Sequence, residues 1–154
     1  MYLIDTNVIS ELRKNSRANP GVVEFFSEIT ANASAIYLSA ITIGELRRGV
    51  EIIRHRRDWL QAAQLETWLN DICMEFSHAI LVLDEQIAQV WGRLQVPNPE
   101  NAIDKQIAAT ALIHDLTVVT RNTKHFHSTG VRCINPFRLN LKTSVDRLLT
   151  SIKP

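Results

Sequence analysis

Three carboxylates, Asp5, Glu45 and Asp104, are far apart along the chain, yet each stands where an apolar, strand-like run gives way to a helix-like one. In a parallel α/β domain such junctions share one edge of the sheet, where ligands bind beyond the carboxyl ends of the strands. The three acids are therefore expected to converge on one small pocket. Clustered carboxylates repel one another unless a cation joins them. Hard divalent cations held by carboxylates and water are a common means of hydrolysing phosphate esters. Thr6 and Asn7, directly after Asp5, add oxygen ligands or water-holding groups. Thr120-Arg121-Asn122 brings a hydroxyl and an amide to the end of a later strand, where a fourth group could face the same pocket.

Each acid also has a purely structural account. Asp5 can cap the helix that follows it. Glu45 completes Thr42-Ile43-Gly44-Glu45, which fits a capping box. Asp104, three residues after Asn101, complements a helix dipole. Asp84 occupies the same kind of junction and serves as the control, an acid expected only to cap.

The elements that must position these groups follow from the apolar periodicity. Tyr2-Leu3-Ile4, Ile36-Tyr37-Leu38, Ile80-Leu81-Val82-Leu83, Thr117-Val118-Val119-Thr120 and Val131-Arg132-Cys133-Ile134 read as strands. Between them the pattern predicts helices over 8–13, from Pro20 onward, from about Ser39 to Arg54, over 58–76, from Asp84 to Leu94, and from about Asn101 to Asp115. Leu60, Ala63, Leu65, Trp68, Leu69 and Ile72 mark the apolar face of 58–76. Strands separated by helix-length segments need crossovers, which gives an α/β domain with a mostly parallel central sheet of about five strands flanked by helices. That domain spans 1–137. Within 138–154, Leu141, Val145, Leu148, Leu149 and Ile152 keep helical spacing and predict an amphipathic extension that covers either its own domain or a partner.

Bulk properties narrow the classes. At 154 residues the chain suits one domain with a core of its own. A formal charge of +1 gives no global attraction to nucleic acid, so any such binding must be local. No apolar run approaches bilayer length and no signal peptide is visible, which predicts a cytoplasmic protein without membrane contact. Cys73 and Cys133 lack CxxC spacing and read as reduced thiols. His125-x-His127 is too short of companions for a zinc site.

Five segments together carry a resemblance: Leu3-Ile4-Asp5-Thr6-Asn7-Val8-Ile9-Ser10-Glu11, Tyr37-Leu38-Ser39-Ala40-Ile41-Thr42-Ile43-Gly44-Glu45-Leu46, Asp104-Lys105-Gln106-Ile107-Ala108-Ala109-Thr110-Ala111, Val118-Val119-Thr120-Arg121-Asn122 and Asn135-Pro136-Phe137. Their order and spacing over 1–137 resemble the PIN-domain family, VapC type, FitB-like branch. The resemblance implies a PIN-like fold and the toxin of a type II toxin–antitoxin pair. It implies a Mg²⁺- or Mn²⁺-dependent ribonuclease acting on RNA, with the metal-binding acids at Asp5, Glu45 and Asp104. It further implies a homodimer and a small cognate antitoxin, with DNA reached only through that antitoxin. Many members carry a fourth acid at the position held here by Asn122. An amide supplies no negative charge, which weakens a second metal site and favours a one-metal mechanism.

On this reading Asp5 and Asp104 hold the metal, Glu45 orients or deprotonates the attacking water, and Thr6, Thr120 and Asn122 position the water and the phosphate. Lys105 and Arg121 are candidate phosphate contacts. Arg47, Arg48, Arg54, Arg56 and Arg57 either grip RNA or form a solvated helix face with i,i+4 charges. The rival reading is a non-catalytic PIN scaffold retained for binding RNA or a partner.

Overall fold

The structure, a computed structural model, describes residues 1–138. Five short strands, β1 (Tyr2–Ile4), β2 (Ile36–Ser39), β3 (Ile80–Leu81), β4 (Thr117–Val119) and β5 (Cys133–Ile134), form one sheet in the order β3-β2-β1-β4-β5. Every neighbouring pair is parallel, with Tyr2 opposite both Ile36 and Thr117. Parallel neighbours require crossovers, and helices supply them: α1 (Thr6–Leu12), α2 (Pro20–Ala31), α3 (Ala40–His55), α4 (Trp59–Glu75), α5 (Glu85–Leu94), α6 (Ala102–Ile113) and the short α7 (Thr123–Phe126). The sheet grows to one side of β1 through β2 and to the other through β4, so the topological switch lies between the carboxyl ends of β1 and β4.

Both faces of the sheet are covered, which is why its strands are apolar without alternation. Successive residues point to opposite faces. Ile4, Leu38 and Val119 join one core with Val8, Val22, Phe25 and Leu46. Leu3 and Val118 join the other with Ile107, Ala108, Ala111 and Phe126. Ala108 and Ala111 are fully buried, and their small side chains let α6 lie close to the sheet.

The caps explain the helix starts. Asn19 accepts from Gly21 N ahead of Pro20 (3.0 Å), Asp58 opens α4 and Asp84 opens α5 through Ile87 N (2.9 Å), so the control acid does cap. The cap of α3 is Ser39, which accepts from Thr42 N at 2.9 Å. This corrects the capping-box account of Glu45. With the helix starting at Ala40, Glu45 falls in the second turn, beyond reach of the first orphan N–H groups.

Other expectations shift. The strand expected over 80–83 stops at Leu81, because β3 is an edge strand that among the described residues pairs with β2 alone; Val82 is 66% exposed. In α4, Leu65, Trp68, Leu69 and Ile72 pack on the core as expected, whereas Leu60 (74% exposed) and Ala63 face outward and Ala62 is buried in their place. Helix α7 was not anticipated, since four residues are too few to show a period. No helix among the described residues is long and apolar enough to cross a membrane. The amphipathic extension expected over 138–154 falls, beyond Arg138, outside the described residues.

Phe126 anchors α7 against α6 at 1% exposure. Phe126→Ala is expected to cost about 3–5 kcal/mol, read as a lower urea midpoint. A midpoint shift under about 1 kcal/mol would mean that α7 is not held this way.

Candidate active site

The switch between β1 and β4 sets Asp5 beside Thr120. Asp5 N donates to Val119 O (3.0 Å), continuing the ladder one residue past β1. Asp5 is 3% exposed, and Thr120 is fully buried. The carboxylate accepts from Thr6 N at Oδ1 (2.7 Å) and from Asn7 Nδ2 (2.5 Å) and Thr120 Oγ1 (2.6 Å) at Oδ2. Asp5 is thus an N-cap of α1, as its structural account holds, but its second oxygen faces a different strand. Asn7 is the hub of the next layer: its amide also lies 3.2 Å from Thr120 Oγ1, and its Oδ1 accepts from Arg121 N at 2.9 Å. Asn122 enters through its backbone N–H, which donates to Thr120 Oγ1 (3.0 Å).

Glu45 joins from α3. Thr6 Oγ1 donates to Glu45 Oε2, so one residue touches both acids, through its amide on Asp5 and its hydroxyl on Glu45. Asp104 stands in the first turn of α6 and contacts His125 of α7, with Nδ1 2.8 Å from Oδ2. A carboxylate only accepts, so Nδ1 carries the proton in this pair.

The electrostatics bind the three acids into one group. Burial raises the pKa of Asp5 to about 6; the Thr120 and Thr6 hydrogen bonds oppose the rise, and the charges of Asp104 and Glu45 add to it. The Cys133 thiol is likewise pushed up, to about 11, by burial and then by the Asp5 charge. Among the described residues no Lys or Arg side chain bonds to Asp5. This uncompensated charge has the donor chemistry of a hard-cation site.

The expected convergence holds only in part. Among the described residues no three His, Cys, Asp or Glu side chains stand close enough to ring a metal ion. Glu45 is turned toward Thr6 and Asp104 toward His125. The acids share a field and a neighbourhood without being assembled as a ligand set.

The expected phosphate contacts fare differently. Lys105 is 3% exposed and its ammonium bonds to Asn98 O, because the position after Asp104 on α6 turns inward. This corrects its assignment as a phosphate contact. Arg121 lies with its guanidinium carbon 3.8 Å from the Phe137 ring centroid and its Nη2 3.2 Å from Glu11 Oε2, which makes it a brace between α1 and the turn at Pro136–Arg138. Arg47 and Arg54 pair with Glu51 and Glu66 along α3 and α4, the charged-helix alternative. His125 is the site residue that sequence reasoning missed. The sequence offered it only as a zinc ligand with His127, because its contact with Asp104 crosses between two helices.

The PIN domain family model matches residues 2–131. The chain is 35% identical to "Toxin FitB" of Neisseria gonorrhoeae over 143 residues, covering 89% of this chain and 99% of that one. It is 31% identical to "VapC ribonuclease Y4jK" of Sinorhizobium fredii, covering 89% and 98%. Its fold superposes on the crystal structure of FitAcB from Neisseria gonorrhoeae with a TM-score of 0.78 at 35% identity, covering 90% of this chain and all of that one. With the family model matching nearly the whole described chain and a 35% identical relative covered over 99% of its length, this protein belongs to the PIN domain family.

Proposed function

We propose that this protein is a divalent-metal-dependent endoribonuclease and the toxin of a type II toxin–antitoxin pair. The observation that carries the chemistry is Asp5, a buried carboxylate raised to about 6 beside two further acids and bonded to no cationic side chain among the described residues. The toxin role rests on the relatives' names.

Asp5, Asp104 and Glu45 would hold Mg²⁺ or Mn²⁺. Such an ion, when bound, lowers the pKa of water, polarises the phosphoryl oxygen and stabilises the leaving oxygen. Because the acids are not pre-assembled, part of their grip would run through water, which Mg²⁺ retains readily. Thr120, Asn7 and Thr6 fix both oxygens of Asp5 and hold Glu45 beside it. Glu45 is the general base for the attacking water. Thr120 and Asn122 steady the site from the β4 end. His125 replaces Asn122 as the fourth side chain of the site, and it acts as a positioning residue that orients Asp104 through Nδ1. In-line attack by water leaves a 5′-phosphate and a 3′-hydroxyl. We further propose a homodimer, a small antitoxin that covers the acids, and DNA contact only through that antitoxin.

The open spacing of the acids also favours a second reading, a non-catalytic PIN scaffold. Asp5→Asn and Asp104→Asn are expected to abolish Mn²⁺-dependent RNA cleavage and growth arrest, and Glu45→Gln to slow cleavage about 10²–10⁴-fold. Growth arrest that persists in both Asp variants would decide for the scaffold.

The raised pKa of Asp5 predicts a pH dependence with a definite sign. Between about pH 4 and pH 6 the native state keeps a proton that the unfolded chain has lost, so stability falls as pH rises, by on the order of 3 kcal/mol. Mn²⁺ should reverse that loss at neutral pH and do little near pH 4, where it competes with the proton. Equal Tm gains at both pH values would contradict a carboxylate site.

His125→Ala should weaken Mn²⁺ binding by about tenfold or more, measured by calorimetry. His125→Asn, whose amide can replace the Nδ1 donor, should recover most of it. Unchanged affinity in both would remove His125 from the site.

A further inference from the structure

A hollow of about 270 Å³ lies between α1, α3 and α4 and reaches the acid site at Glu45, which forms part of its wall with Thr6. Gly49 also lines it, in the middle of α3. A glycine inside a helix is destabilising relative to alanine. Nothing within 4 Å would meet a Cβ built there, so no packing in this fold requires the glycine. Its missing side chain keeps the hollow open.

We propose that this hollow is a nucleobase subsite, which seats the base of the nucleotide next to the phosphate held at the acids. The proposal rests on the ribonuclease reading for its substrate. Its walls set the aliphatic side chains of Leu46, Val50 and Ile53 beside aromatic and polar ones. Trp68 and Leu65 give an aromatic and apolar surface, and Ser10 and Gln61 supply donors and acceptors for a base edge, which an aliphatic peptide side chain would leave unused. Arg13 sits at the rim with its guanidinium carbon 5.8 Å from the Trp68 ring centroid. Arg47 and Arg54 on the adjacent helix are held by Glu51 and Glu66, whereas the charge of Arg13 is seated against a ring beside the acid site. Cations and aromatic faces together form the usual platform for single-stranded nucleic acid, in which each base stacks while the cation follows the backbone.

The test follows the Trp68 indole N–H resonance, assigned with Trp68→Phe, while the nucleoside 5′-monophosphates AMP, GMP, CMP and UMP are titrated into the full chain. Wild type should show a saturable shift. Gly49→Leu fills the hollow and should weaken that binding about tenfold or more, while Gly49→Ala should raise Tm and so show that the helix tolerates a side chain. In wild type, sequencing of RNA ends should show a base preference at one position beside the cut, and Gly49→Leu should flatten it there alone. RNA that is cut while Trp68 stays silent overturns the subsite and leaves the nuclease reading standing. Nucleotide binding at Trp68 without cleavage upholds the subsite and counts against the nuclease. Gly49→Leu binding nucleotides as tightly as wild type overturns the proposal.

Discussion

The structure turns on one carboxylate taken out of water. Asp5 is buried at the carboxyl end of the central strand, and burial opposes its ionisation more than any other influence on it. Three donors hold its oxygens, from Thr6, Asn7 and Thr120. These bonds support the anion without neutralising it. Two neighbouring acids make the anion more costly still. Keeping such a group ionised costs stability, and groups of this kind gather at functional sites.

That arrangement depends on the neighbours of β1. The strand has β2 on one side and β4 on the other, so residues 5 and 120 are adjacent although the chain separates them by 115 positions. The two sides of the sheet bring the remaining groups. Ser39 caps α3 and sets the helical phase that points Glu45 toward Thr6. Ala108 and Ala111 let α6 lie close to the sheet, and Phe126 brings α7 alongside it, so that Asp104 and His125 meet. Packing of small and aromatic side chains thus determines distances between charges.

The cations show how little a basic run reveals. Arg47, Arg54 and Arg121 are engaged with acids or rings, and Lys105 is buried against a backbone carbonyl. Pairs exposed like those of α3 and α4 contribute little stability, with a median of about 0–1 kcal/mol. Their effect here is to commit side chains that otherwise could meet a phosphate.

Much of this was legible in the amino-acid order. Apolar runs located all five strands, because a strand buried on both faces must be apolar throughout. Asp5 was legible as a junction acid and the family's spacing was legible with it, whereas Glu45 falls in the second turn of α3 and Asp104 lies in the first turn of a helix that follows α5 rather than a strand. Periodicity revealed the inward face of α4 from Leu65 onward but not its first turn, the end of β3 or the existence of α7, since each of these depends on what packs against it. The inward turn of Lys105, the bracing role of Arg121 and the bond between His125 and Asp104 were decided only in three dimensions. Sequence determines which groups stand at a strand's end, because local backbone rules act over a few residues. Tertiary structure decides which of them touch and which are already engaged, because those contacts join residues that no local rule connects.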